Sequence, residues 1–126
     1  MGIHPVLASL DTLAAAPIPV VAEALLLWAF ETDDERSVTV LESVAELIGN
    51  RMGIPSPERG CIHFETTEPW ATLRGILDEG VIYLESRYLA ARRQGDDGNT
   101  PPPTKFVCLR RGREAIRSGT VAQVLA

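Results

Sequence analysis

The segment from Ala14 to Phe30 is the feature that most limits what this chain can become. It is the longest apolar run, broken only by Pro17, Pro19 and Glu23. Proline cannot continue a helix interior, so the first helical pattern (Val6, Leu7, Leu10, Leu13) must end near Ala16. Pro19 is suited to an early position of the next helix. That helix carries Val20, Val21, Ala24, Leu25, Leu27, Trp28 and Phe30 over most of its circumference. A helix apolar on most faces is either the centre of a core or pressed against a partner. With a charge inside it and prolines at its start, the run is too short and interrupted for a membrane span, so no membrane partner is expected.

The chain has 126 residues, the size of one domain with one core. Its two cysteines, Cys61 and Cys108, form no disulfide framework. A reducing, cytoplasmic setting is the simplest expectation. No basic stretch precedes the first apolar segment, so a secretory signal is not expected. One lysine against eleven arginines, with many alanines, suits a GC-rich bacterial genome.

Charge is unevenly placed. The net charge is −5, yet residues 1–80 sum to −9 and residues 81–126 to +4. No overall basic field draws the chain to a polyanion. Any such contact belongs to the C-terminal third.

Further along, Thr39 and Glu42 have the spacing of a capping box. Val40, Leu41, Val44, Leu47 and Ile48 then form one apolar stripe, closed by Gly49-Asn50. Pro55, Pro57 and Gly60 mark loop, and Cys61 to Glu65 alternates like a short strand. Thr66 or Thr67 can cap a helix over about 68–79, with Trp70, Leu73, Ile76 and Leu77 inward and Gly80 as its left-handed cap. Residues Val81 to Tyr88 alternate as a strand, although Val81, Leu84, Tyr88 and Ala91 also fit a helix. Gln94 to Pro103 is a polar tip. Lys105 to Arg110 reads as the return strand, and a short helix starts near Glu114, extended after Gly119 by Thr120 to Ala126.

The succession is helix, helix, helix, strand, loop, strand, helix. Thr39 to Gly49 looks like the first helix of a helix-turn-helix. Leu73 to Ile82 resembles the end of a recognition helix entering a wing. Phe106 to Ile116 looks like the return strand and next helix of MarR-like and PadR-like bacterial regulators. Over residues 37–118 the chain therefore resembles the winged helix-turn-helix superfamily, in pattern more than identity. The fold class expected is α+β, a mainly helical winged helix with a β-hairpin wing. One domain spans 1–126, with 1–36 as an N-terminal helical part that could dimerise.

The resemblance implies a DNA-binding transcription regulator, a homodimer on double-stranded DNA. Helix 68–79 would enter the major groove with Thr72 and Arg74 toward base edges. Arg87, Arg92, Arg93, Lys105, Arg110 and Arg111 on the hairpin would hold phosphates. Val20, Val21, Ala24, Leu25, Leu27 and Trp28 would form the dimer interface.

Three features depart from that pattern. Eighteen residues, Arg51 to Glu68, separate the two helices, where the tight motif uses a turn of about 3–4 residues. Asp78 sits one turn from Arg74 and can neutralise it. Asp96 and Asp97 at the hairpin tip repel phosphate. These suit the alternative, a winged helix used as a protein–protein interaction module in a larger assembly.

Chemistry is sparse. Cys61, His63 and Glu65 alternate on one face, with Cys108 or His4 as further donors, but paired zinc-ligand spacing is absent. Cys61 with His63 lacks a third, orienting group for nucleophilic catalysis. Trp28, Trp70, Tyr83 and Tyr88 could line a small pocket, though such aromatics more often fill cores. There is no phosphate loop, dinucleotide fingerprint or metalloprotease motif. No catalytic site, metal or cofactor is expected.

Overall fold

Two prolines fix the entry to the central helix. The computed structural model of the chain describes residues 4–31, 38–55, 67–93 and 104–126. A 3-10 turn at Pro5–Leu7 is capped by His4, whose Nδ1 accepts from the Val6 N–H at 3.2 Å. Helix α1 (Leu10–Ala15) starts on Ser9, whose hydroxyl accepts from the Thr12 N–H. Pro17 stands at the cap of α2 (Ile18–Phe30), with Pro19 in its first turn.

Helix α2 is the middle of the core. Val21, Ala22, Ala24, Leu25, Leu26, Ala29 and Phe30 are all buried within the single chain. It packs on α4 (Trp70–Ser86) and on α6 (Val121–Leu125). The apolar circumference is thus satisfied internally over most of its surface.

A small sheet flanks the helices. Strand β1 (Val38–Val40) precedes α3 (Leu41–Arg51); β2 (Ala90–Arg93) and β3 (Lys105–Cys108) follow α4. The order is β1-β3-β2, all antiparallel, with Thr39 opposite Phe106 and Arg92 opposite Phe106 on the other side. Phe106 is buried and meets Phe30 with ring centroids 5.1 Å apart. The chain closes with α5 (Arg110–Ser118) and α6. The fold is therefore α+β, mostly helical, with a three-stranded antiparallel sheet.

Several local expectations yield to tertiary packing. Residues Val81 to Ser86 are helix, not strand, and Gly80 is interior to α4 rather than its cap. Gly80 faces α2 so closely that a Cβ there would lie 3.1 Å from Val21 Cγ1. Leu77, Val81 and Leu84 are buried while Ile82 is exposed, the helical period. The helix stops at a left-handed Tyr88 (φ 62°), with Leu89 N–H donating to Leu84 O and Tyr88 N–H to Glu85 O. That is a Schellman closure with tyrosine where glycine is usual. The first hairpin strand therefore begins at Ala90.

The Thr39–Glu42 capping box does not form. Thr39 is held in β1, and α3 begins at Leu41 without a side-chain cap. Glu42 Oε1 instead accepts from the Thr104 N–H at 2.8 Å, while Leu41 N–H donates to Thr104 O at 2.9 Å. Sheet pairing has taken the residue that a local cap would have used. Helix α3 continues past Gly49-Asn50 to Arg51, with Gly49 packed under the Trp70 indole where a Cβ has no room; the chain turns at Gly53 (φ 92°). Leu47, assigned to the apolar stripe, is exposed.

Helix α5 starts at Arg110, four residues before the expected Glu114. Arg110 and Arg111 accordingly lie in its first turn and not on the hairpin. Residues 61–65 and the tip 94–103 lie outside the described residues.

Candidate interaction surface

Helix α4 supplies the face that the sequence puts forward for recognition. Its exposed residues are Thr72, Gly75, Glu79, Ile82 and Ser86. They share one stripe at helical spacing. The stripe carries one carboxylate, no cation and an exposed isoleucine.

Arg74 is turned away from that role. Its side chain is 15% exposed; Nε donates to Asp78 Oδ1 at 2.9 Å and Nη1 lies 3.4 Å from Glu42 Oε2. The guanidinium joins the start of α3 to the middle of α4. Its charge is answered by two carboxylates. Thr72 is exposed, and its hydroxyl donates to Glu68 one turn earlier.

The hairpin cations divide. Arg92 Nη2 lies 3.0 Å from Glu85 Oε1, and its backbone N–H donates to Glu85 Oε2 at 3.0 Å. One carboxylate therefore pins β2 to α4. The pair is about a third exposed, where ion pairs contribute little and salt screens them. Arg93 is exposed and Lys105 half-buried at the paired position across the ladder. Arg74, Asp78, Glu85, Arg92, Arg93 and Thr104 line an open cleft of about 360 Å³ in which both signs of charge alternate.

Arg110 and Arg111 are exposed on α5, apart from the hairpin. Arg113, one turn on, is 8% exposed and donates to Phe30 O at 3.2 Å. It ties the end of α2 to α5 across 83 residues of chain. Cys108 lies beside it. Burial pushes the Cys108 thiol up, and the Arg113 guanidinium offsets part of that.

No protein-family model, no curated protein and no solved structure matches the chain. The functional reading therefore rests on its own surfaces.

Of the six residues expected at an α2 interface, Val21, Ala24 and Leu25 are sealed in the core. Val20, Leu27 and Trp28 are half-buried. The four aromatics do not line one pocket: Trp70 is buried against Gly49, whereas Tyr88 is 70% exposed. Tyr83 donates its hydroxyl to Leu125 O at 2.8 Å and supports Arg87, whose guanidinium lies 5.2 Å from the ring centroid. Among the described residues no three metal-ligating side chains come together, and no helix is long and apolar enough to cross a membrane. Cys61, His63 and Glu65 fall outside them.

Three participants escape sequence reasoning. Glu42 has the spacing of a local cap, which hides its reach to Thr104 and Arg74. Glu85 gives no sign of its bond to Arg92, because a strand reading of Val81 to Tyr88 leaves no turn to bring them together. The exposed groove of Ile18, Ile82 and Tyr83 joins two elements far apart in sequence. Only the alternative helical period of residues 81–91 points toward it.

Proposed function

We propose that this chain is a winged-helix domain that docks on protein through the outer face of α4. The succession α2, β1, α3, α4, β2, β3, with a hairpin following the third of these helices, supports the winged-helix reading. One observation carries the choice of ligand: the outward stripe of α4 holds Glu79 and Ile82 and no cation, while Arg74 is committed to Asp78 and Glu42. A base-reading helix needs donors and acceptors directed outward into a field that attracts phosphate. An exposed aliphatic beside a carboxylate suits a protein surface. The reading assigns binding and no catalytic step.

Two measurements test it. Fluorescence anisotropy with labelled duplex DNA should show no binding at about 50 mM salt. Capture of a protein partner should be abolished by Ile82→Glu while circular dichroism shows the fold intact. Capture indifferent to Ile82, or tight DNA binding that falls steeply with salt, overturns the proposal.

A DNA-binding regulator is the second reading, favoured by the exposed Arg92, Arg93, Arg110 and Arg111. There the backbone contacts would come from β2 and α5 rather than from a recognition helix. Arg92→Ala with Arg93→Ala would then weaken binding to every sequence and flatten its salt dependence.

A further inference from the structure

We infer that the concave face of α5 lined by Arg110, Arg113 and Arg117 is a binding site for a small phosphate monoester. The inference goes beyond the docking reading and does not depend on it.

The pocket holds about 410 Å³ and is lined by Cys108, Leu109, Arg110, Arg113, Glu114 and Arg117. Residues 110, 113, 114 and 117 recur at helical spacing, so one stripe of α5 carries all four charges. The three guanidiniums stem from about 10 Å of helix. Such a volume suits a phosphoryl group with a small organic body rather than a bare ion. Cys108 and Leu109 supply the less polar part of the lining.

The balance of charge names the ligand. The chain as a whole is −5, so the cluster does not reflect a surplus of basic residues. Three guanidiniums against one carboxylate leave the pocket at +2. Among the described residues, the Arg110 and Arg117 side chains make no ion pair or hydrogen bond, although Glu114 stands four residues from one and three from the other. Like charges along one helical stripe oppose each other, and Arg110 also stands at the positive end of the helix dipole. An anion in the pocket answers both costs. A phosphate monoester carries a charge of about −1.5 to −2 near pH 7, and its oxygens accept guanidinium forks in pairs. A phosphodiester carries a single charge and leaves much of the pocket's charge unanswered.

The site is held in shape before binding. Arg113 is 8% exposed and its Nη1 donates to Phe30 O at 3.2 Å, which fixes one guanidinium at the floor. A guanidinium has five N–H donors, of which that bond uses one. The Leu109 N–H donates to Leu89 O at 3.0 Å and anchors the rim to the turn after α4. The exposed Arg110 and Arg117 stand at either end of the stripe.

The test is isothermal titration calorimetry of the full chain with phenyl phosphate, at constant ionic strength and about pH 7.5, where the monoester is a dianion. One molecule should bind per chain with a Kd of about 1 mM or tighter. Arg110→Ala and Arg117→Ala, both at exposed positions and each checked by circular dichroism, should weaken binding by about tenfold, the loss of one charge-assisted hydrogen bond. Arg87→Ala, an exposed arginine beyond α4, should leave binding unchanged. Dimethyl phosphate should bind clearly more weakly than phenyl phosphate. No binding at about 10 mM phenyl phosphate overturns the inference. So does binding that is indifferent to Arg110 and Arg117, or equally strong for dimethyl phosphate. Duplex DNA held through these two arginines, with phenyl phosphate not bound, also overturns it and favours the regulator reading. Capture of protein through Ile82 reads a different face, so the two proposals fail separately.

Discussion

Gly112 rests on the backbone of Leu89: a Cβ built on it would fall 2.1 Å from the Leu89 carbonyl oxygen. That same oxygen accepts from the Leu109 N–H at 3.0 Å. The start of α5 is thereby docked on the turn between α4 and β2. The contact anchors the N-terminal turn of α5, in which Arg110 and Arg111 sit where the helix dipole gives them no help.

Gly112→Ala should therefore destabilise the fold by about 1–3 kcal/mol, because the obstacle is backbone and cannot rotate away. Urea unfolding followed by circular dichroism measures it. A change within experimental error would mean that α5 does not lie against Leu89.

Two exposed positions should respond in the opposite direction. Gly75 lies within α4, and a Cβ added there would meet nothing within 4 Å, so Gly75→Ala should stabilise by about 0.5–1 kcal/mol. Tyr88 holds φ at 62° while 70% exposed, so glycine relieves backbone strain and loses little packing. Tyr88→Gly should gain about 1 kcal/mol. Loss of stability at Tyr88 would show that its ring matters more than its backbone.

Glu42 separates two roles that one carboxylate combines. Glu42→Gln keeps an acceptor for the Thr104 N–H but weakens the tie to Arg74. Glu42→Ala removes both. Alanine should cost about 1–3 kcal/mol and glutamine clearly less. Equal losses would place the whole effect on the Arg74 charge.

These same residues show how far the sequence can be read. The stripe of α3 and the first half of α4 are legible because periodicity is local. Arg74 with Asp78 is legible too, being one turn apart on one helix. Residues 81–88 are ambiguous, since their apolar positions satisfy both a period of two and a helical period. What decides is Gly80 against α2, a contact spanning some sixty residues of chain. The Thr39–Glu42 box is a sound local device that loses to the β1–β3 pairing. The apolar girth of α2 has two readings, core or partner, and only the packing of α4 and α6 around it distinguishes them. The surface cations can be counted but not sorted from sequence, because Glu42 and Glu85 reach their arginines through the fold.

Cys108 gives the last prediction, and its sign follows from burial. The thiol is 7% exposed and its pKa is raised, chiefly by desolvation and less the opposing effect of Arg113. Well below the ordinary thiol range, which centres at about 8.5, the thiol is protonated in folded and unfolded chains alike, so it exerts no pH dependence. Above that, the unfolded chain releases a proton that the folded chain retains. Stability must then fall as pH rises toward the raised folded value. In a Cys61→Ala background only this thiol remains. Urea midpoints between pH 7 and 10 should fall more steeply with Cys108 present than in the Cys108→Ala variant. Iodoacetamide should also label Cys108 slowly in the folded protein and rapidly in urea. Identical pH profiles for the two variants, with rapid labelling in the folded state, would mean that the thiol is not buried beside Arg113.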